Sequence, residues 1–387
     1  MISDVQALIG DNKLVGAVTL LAQRGEVKSL DAYGFLNRET YAPMPIDGIF
    51  RIYSMTKPIT SVALMILVDR EQVQLGDPIC AYLPKFSELE ILTSDGPIPS
   101  PKIPTIADIL RHTAGFDYRF WPTPVGGLYR EKGIWDVEKT LAETIDILAT
   151  LPLSYEPGTS WQYSVAPDVS ARIIEVVSGK SFATFLKDEI FTPLKMTDTG
   201  FYVPAEKQHR FAALYGAANW SDPNITGQTL SEAAQRGEHH LIASAKYSLE
   251  SSPHEVIRGG TGLVSTAKDY FRFCQMILNR GELDGIHLLK SETVTNMLSN
   301  QLPPKVFHHF TENLNQPGQG FGYGFRVMIE KPDVGNRGEV SWWGAANTTF
   351  WIDPADEIIG IQMSQYMPPG IFPLGDAFKK SVYADYG

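Results

Sequence analysis

The apolar positions change rhythm several times along the chain, and each change marks an element. An apolar, β-branched run over 14–22 stops at Arg24-Gly25 and resumes as a strand pattern over 26–35, which predicts a β-hairpin behind a short N-terminal helix. From Ser61 to Asp69 the residues suit a buried helix, and Pro58 is tolerated only in a first turn, where its missing N–H has no intrahelical partner to lose. That helix is therefore expected to start near Ser54 or Met55. Gly76-Asp77-Pro78 breaks the pattern, and four prolines between 97 and 104 predict an extended surface connection. Thr105 reads as the N-cap of a helix ending before His112, with Asp108 at the capping-box position. Helical periodicity recurs over 137–148, over 167–178 up to Gly179, and over 182–191. Residues 205–258 have little periodicity and read as a loop-rich insertion over a cleft.

The last third returns to mixed structure. Gly259-Gly-Thr-Gly leads into a helix that runs to about Asn279, and strands are expected over 321–329, 339–342, 348–352 and 358–362. The N-terminal hairpin and the C-terminal meander then build one antiparallel sheet. The expectation is an α/β protein of the α+β type, with a central antiparallel sheet flanked by helices. Residues 1–80 and 245–387 make the sheet domain, and 81–244 make a mainly helical second lobe.

Composition narrows the function. The 387 residues are 43% hydrophobic, enough for a sizeable core, and the net charge of −11 argues against nucleic acid or an anionic membrane as partner. Two cysteines, Cys80 and Cys274, give no disulfide framework and no thiolate metal site. The first residues carry an early acid and no basic stretch leading into an apolar core, and no uncharged apolar run reaches the roughly 18 residues of a membrane span. A cytoplasmic protein is expected. His112, His239, His240, His254, His308 and His309 show no metal-ligand spacing, and there is no glycine-rich phosphate loop and no Gly-x-Ser-x-Gly elbow. Neither metal nor cofactor is implied.

Candidate chemistry sits at Ser54-Met-Thr-Lys57. On a helix the two side chains share a face, with the serine at the electropositive end: a nucleophile beside a possible base. A Ser-x-x-Lys pattern alone says little, since about one or two are expected by chance in a chain this long. The second copy, Ser265 to Lys268, is explained locally by Ser265 or Thr266 capping the next helix. The first needs a proton relay and backbone N–H donors for an oxyanion. A lysine with an ordinary pKa of about 10.4 also acts as a base only if burial or neighbours lower it.

Seven ordered segments supply the rest. They are Phe-Arg-Ile-Tyr-Ser-Met-Thr-Lys over 50–57, Thr-Ile-Ala-Asp-Ile-Leu-Arg-His-Thr-Ala-Gly over 105–115, and Tyr-Glu-Pro-Gly-Thr-Ser-Trp-Gln-Tyr-Ser-Val over 155–165. The others are Ile-Phe-Thr-Pro-Leu-Lys-Met-Thr-Asp-Thr-Gly-Phe over 190–201, residues 259–269, Phe-Gly-Tyr-Gly-Phe over 321–325, and Trp-Trp-Gly-Ala-Ala-Asn over 342–347. With these the chain resembles the serine β-lactamase and penicillin-binding-protein superfamily, most closely the class C β-lactamase-like esterases known as family VIII carboxylesterases.

The resemblance implies Ser54 as the acylated nucleophile, Lys57 as its partner and Tyr163 as base or proton relay. It places Trp342, Trp343 and Gly344 at the third motif, with the N–H groups of Ser54 and Ala345 forming the oxyanion hole. Two departures bear on substrate. Val165 stands where β-lactamases carry an asparagine that can hydrogen-bond a substrate amide. Trp342 replaces the lysine that meets a β-lactam carboxylate, leaving an apolar face and one N–H. Both favour an uncharged ester, a small-molecule partner.

Tyr118, Phe120, Trp121, Tyr129, Trp135 and Trp161 gather near the motifs as either an apolar pocket or ordinary core, and Tyr118 and Trp121 are the candidates for substrate contact. The leading expectation is a serine carboxylesterase working through an acyl-enzyme. A β-lactamase, a D-amino-acid amidase or peptidase, or an acyltransferase on the same scaffold remains open, as does a binding protein that kept the fold without its chemistry.

Overall fold

In a computed structural model, residues 3–10, 14–216, 232, 233, 236, 239–307 and 317–387 are described. His308, His309 and much of the expected insertion, including residues 217–231, lie outside them. Eight antiparallel strands make the main sheet, in the spatial order Gln319–Phe321, Arg326–Met328, Val340–Gly344, Thr348–Asp353, Ile358–Ser364, Gly16–Gln23, Glu26–Asn37 and Ala42–Pro43. The N- and C-terminal parts of the chain meet where Gly16–Gln23 pairs with Ile358–Ser364, from Ala17 opposite Ser364 to Gln23 opposite Ile358. Helices flank the sheet, so the expected fold class holds.

The expected strand over 321–329 is instead a hairpin of Gln319–Phe321 and Arg326–Met328. The reversal falls at Gly322-Tyr323-Gly324. A side chain on Gly322 would meet the Met297 carbonyl oxygen at 2.0 Å, and Gly324 has a φ of +93°, which only glycine adopts freely. The proline-rich stretch forms a second small hairpin, Glu90–Thr93 with Gly96–Pro99, whose exposed second strand carries Pro97 and Pro99. Within 205–258 the described residues include two short strands, Leu214–Gly216 and His240–Ala243, in a three-stranded sheet with Tyr366–Met367.

The helix that follows Ser54, Thr56–Asp69, is buried from Thr56 through Leu67. A helix buried on nearly every side belongs inside the molecule, and this one packs against the helix Ala166–Ser178. The capping boxes at Thr105 with Asp108 and at Thr140 with Glu143 begin the helices Ile106–Leu110 and Leu141–Leu148, each contributing about 1 kcal/mol. Gly179 ends the helix Ala166–Ser178 in the left-handed conformation. The second Ser-x-x-Lys is structural: Thr266 caps the helix Ala267–Leu278 by accepting from the Asp269 N–H, and the buried Ser265 hydroxyl meets Thr199 at 2.8 Å. Among the described residues, no helix is long and apolar enough to cross a membrane.

Candidate active site

A single 3₁₀ turn, Tyr53–Met55, joins the short strand Phe50–Arg51 to the helix Thr56–Asp69 and carries Ser54. Tyr53 is held at a φ of +43°, a conformation that costs of order 1–3 kcal/mol and persists only where surrounding contacts impose it. Those contacts are dense. Phe50–Arg51 pairs with Val264–Ser265, and the Ile52 N–H donates to the Leu263 carbonyl at 3.0 Å. The Tyr270 hydroxyl donates to the Met55 carbonyl at 2.9 Å. Arg51, 3% exposed, pairs with Glu250 at 3.0 Å and lies over the Phe211 ring. Ser54 itself stays half-buried at the cleft.

Lys57, one turn along, places its Nζ 3.0 Å from Ser54 Oγ and 2.6 Å from the Gly260 carbonyl oxygen. Burial is the larger influence on this amine and Asp168, which favours the charged form, the smaller; its pKa is brought down to about 7. Near neutral pH Lys57 therefore has a substantial uncharged fraction that can accept a proton. The Tyr163 ring lies 4.6 Å from Lys57 Nζ, and its phenol reaches the Ser54 hydroxyl. Burial drives the Tyr163 pKa up despite that bond, so the phenol keeps its proton. Of the two groups, Lys57 is suited to take a proton and Tyr163 to pass one on.

Asp168 had no signal in the sequence beyond standing five residues after Tyr163 in a helical first turn. It is 1% exposed, accepts the Gly260 N–H at 2.8 Å, and accepts the Trp135 indole N–H at 2.9 Å. One residue, Gly260, thus donates to Asp168 and accepts from Lys57. A Cβ on Gly260 would stand 3.1 Å from the Tyr118 hydroxyl and 3.4 Å from Lys57 Nζ, which shows how closely these groups converge. His112, also missed as a site neighbour, is buried beside Tyr163 with ring centroids 5.1 Å apart. Burial and the Lys57 charge push its pKa well down, so it is neutral.

Beside the Tyr53–Met55 turn runs the strand Val340–Gly344, and Ala345 follows it in the apolar cluster that includes Tyr53. Gly344 passes so near the start of the Ser54 turn that a Cβ there would stand 2.5 Å from the Ile52 carbonyl oxygen. Replacing Gly344 with alanine is expected to spread Ser54 and Ala345 apart and lower kcat at least about tenfold with a smaller change in KM; a 1 Å misplacement at a reacting centre can cost more. Steady-state kinetics beside a thermal melt check this, and unchanged kcat would show that the close approach has no catalytic consequence.

The other predicted residues separate by place. Trp121, Trp161, Tyr163, Trp342 and Trp343 line a groove of about 450 Å³. Trp342 and Trp343 stack at 4.3 Å, and Trp342 faces Tyr163 at 5.4 Å. The Trp121 indole N–H donates to the Tyr163 carbonyl at 3.0 Å. Tyr118 and Val165 are buried behind the groove wall, at 0% and 1% exposed, with Val165 opening the helix Ala166–Ser178. Tyr129 is core, Trp135 supports Asp168, and Phe120 is exposed while stacking on Tyr118.

The chain matches the Beta-lactamase family over residues 1–383. It is 31% identical over 376 residues to Protein Rv1367c of Mycobacterium tuberculosis, covering 92% of this chain and 86% of that protein. With Esterase EstB of Burkholderia gladioli it shares 30% identity over 384 residues, 97% and 92% of the two chains. Among solved structures, EstCE1, described as a hydrolase with promiscuous acyltransferase activity, superposes with a TM-score of 0.81 at 25% identity, covering 98% of this chain and 97% of its own.

Proposed function

Because the chain belongs to the β-lactamase family, whose relatives here include esterases, we propose that it is a serine carboxylesterase acting through an acyl-enzyme on Ser54. The observation that carries this reading is the buried Lys57 amine, 3.0 Å from Ser54 Oγ and with a pKa of about 7, beside Tyr163, which lines a groove walled by indoles. Ser54 Oγ attacks the ester carbonyl carbon while its proton passes to Lys57. The N–H groups of Ser54 and Ala345 receive the oxyanion. The bond to the alcohol oxygen then breaks as Tyr163 gives that oxygen a proton, and Lys57 restores the proton to Tyr163. Water attacks the acyl-enzyme, Lys57 takes its proton, and Ser54 leaves with a proton as the carboxylic acid departs.

At the third-motif position Trp342 offers an apolar indole face where β-lactamases carry a lysine, which favours an ester over a lactam. Relative rates test this. The ratio kcat/KM for 4-nitrophenyl acetate and butyrate is expected to exceed that for nitrocefin and for D-amino-acid amides by at least about 100-fold, and faster amide or lactam turnover would reverse the assignment. Acyl transfer is a second reading, supported by the likeness to EstCE1. A product analysis with a competing alcohol separates transfer from hydrolysis.

A further inference from the structure

At one end the indole-walled groove carries a charge that the hydrolytic steps do not use. Among the described residues that line it, Arg326 is the only charged one. Its Nε and Nη2 both donate to the Ser341 hydroxyl, at 2.9 and 2.7 Å, and its guanidinium lies 5.6 Å from the centre of the Trp343 ring. Among the described residues no carboxylate pairs with it. Glu339 is held by Lys379 at 2.6 Å, and both Glu339 and Asp376 act on Arg326 only from a distance.

A guanidinium has five N–H donors and cannot shed its charge, whereas a single hydroxyl oxygen occupies few of them. Burial disfavours the cation, and the more distant Glu339 and Asp376 carboxylates offset that cost only in part. On the adjoining strand, Gln319 also lines the groove, and its buried Oε1 has no hydrogen-bond partner. The register sets Phe321 opposite Arg326 and Gln319 opposite Met328, so Gln319 and Arg326 are diagonal neighbours within reach of one ligand. The Gln319 amide can turn its NH₂ edge toward that ligand.

We propose that Arg326, with Gln319, binds a carboxylate carried on the alcohol portion of the substrate. This rests on the esterase reading in one respect. Tyr163 lines the same groove and is the group placed to protonate the leaving oxygen, so the departing alcohol lies on this side. From Ser341, which Arg326 touches, to Ala345 beside the nucleophile, four residues of extended chain span roughly 13 Å. With Trp121, Trp161 and Trp342 as flat walls, that span suits an ester of a carboxylated aryl or fused-ring alcohol. An uncharged acyl group and an anionic alcohol are compatible, because the two parts lie on opposite sides of the carbonyl.

The test pairs 6-acetoxy-2-naphthoate with its neutral isostere 6-acetoxy-2-naphthamide. In the unmodified enzyme the carboxylate is expected to show at least a tenfold higher kcat/KM, expressed mainly in KM and narrowing with added salt. Arg326→Gln should lower the carboxylate rate about tenfold and leave the carboxamide within about twofold, while Arg326→Lys restores part of the preference. Equal rates for the two esters in the unmodified enzyme, or equal losses for both in R326Q, would overturn the proposal. If neither ester is turned over, the hydrolase reading fails by itself. Calorimetry with the product 6-hydroxy-2-naphthoate then decides: binding tighter than that of 6-hydroxy-2-naphthamide and lost in R326Q supports the carboxylate site, and equal affinities refute it.

Discussion

Replacing Ser54 with alanine is expected to lower ester hydrolysis by about 10⁴-fold or more while leaving the melting temperature within a few degrees. Among the described residues Lys57 Nζ donates hydrogen bonds to this hydroxyl and to the Gly260 carbonyl, and the Tyr163 phenol reaches the same hydroxyl. Removing one oxygen from a half-buried side chain leaves the helix Thr56–Asp69 and its neighbours packed, so the loss falls on chemistry rather than on folding. Kinetics with 4-nitrophenyl butyrate read the rate, and mass spectrometry after a fluorophosphonate reads the adduct on Ser54. An alanine variant with more than a few per cent of the original activity, or an adduct on another residue, would remove Ser54 from the mechanism.

The second large effect concerns the proton on Lys57. With its pKa brought to about 7 by burial, the amine is mostly protonated below that pH and mostly neutral above it. Because only the neutral amine accepts the Ser54 proton, kcat/KM should rise with pH and level off once pH exceeds about 7. Lys57→Met should remove this limb together with about 10³-fold or more of the rate.

Asp168→Asn separates the two influences on that amine. The carboxylate stabilises the ammonium form, so losing its charge lowers the pKa further and moves the acid limb to lower pH. The same change weakens the hold on Gly260, whose carbonyl fixes Lys57. A charge-assisted hydrogen bond contributes about 1.5–3 kcal/mol, so the plateau should fall by roughly 10- to 150-fold. A merely structural Asp168 would lower the rate without moving the limb, and a limb that moves up would contradict the sign of the interaction.

Much of the architecture could be read before any coordinates. The hairpin over 14–35 and the strands near 348–352 and 358–362 are visible because alternation and turn residues are local properties. The capping box at Thr105 and Asp108 lies three residues apart in the chain and needs nothing else. The error at 321–329 has the opposite cause. Its apolar spacing fits one strand, but the reversal at Gly322-Tyr323-Gly324 is imposed by the close approach of Met297 and by the bond from the Gly324 N–H to the Leu110 carbonyl. Val165 and Tyr118 show the same limit for the site: motif position puts them near the chemistry, and packing decides that they lie behind the groove wall.

What the sequence determined by itself is the set of elements and the family, together with Ser54, Lys57 and Tyr163 as the residues to examine, because periodicity, caps and ordered motifs are written in neighbouring residues. Only the tertiary structure decided the protonation states and the ends of the groove. The Lys57 pKa comes from desolvation by segments as far away as Gly260, itself fixed by Asp168, 92 residues apart in the chain. Arg326 lines the groove with no ion pair among the described residues because two adjoining strands and the indoles of Trp342 and Trp343 meet there. Burial and charge act through space, and linear spacing carries no record of them.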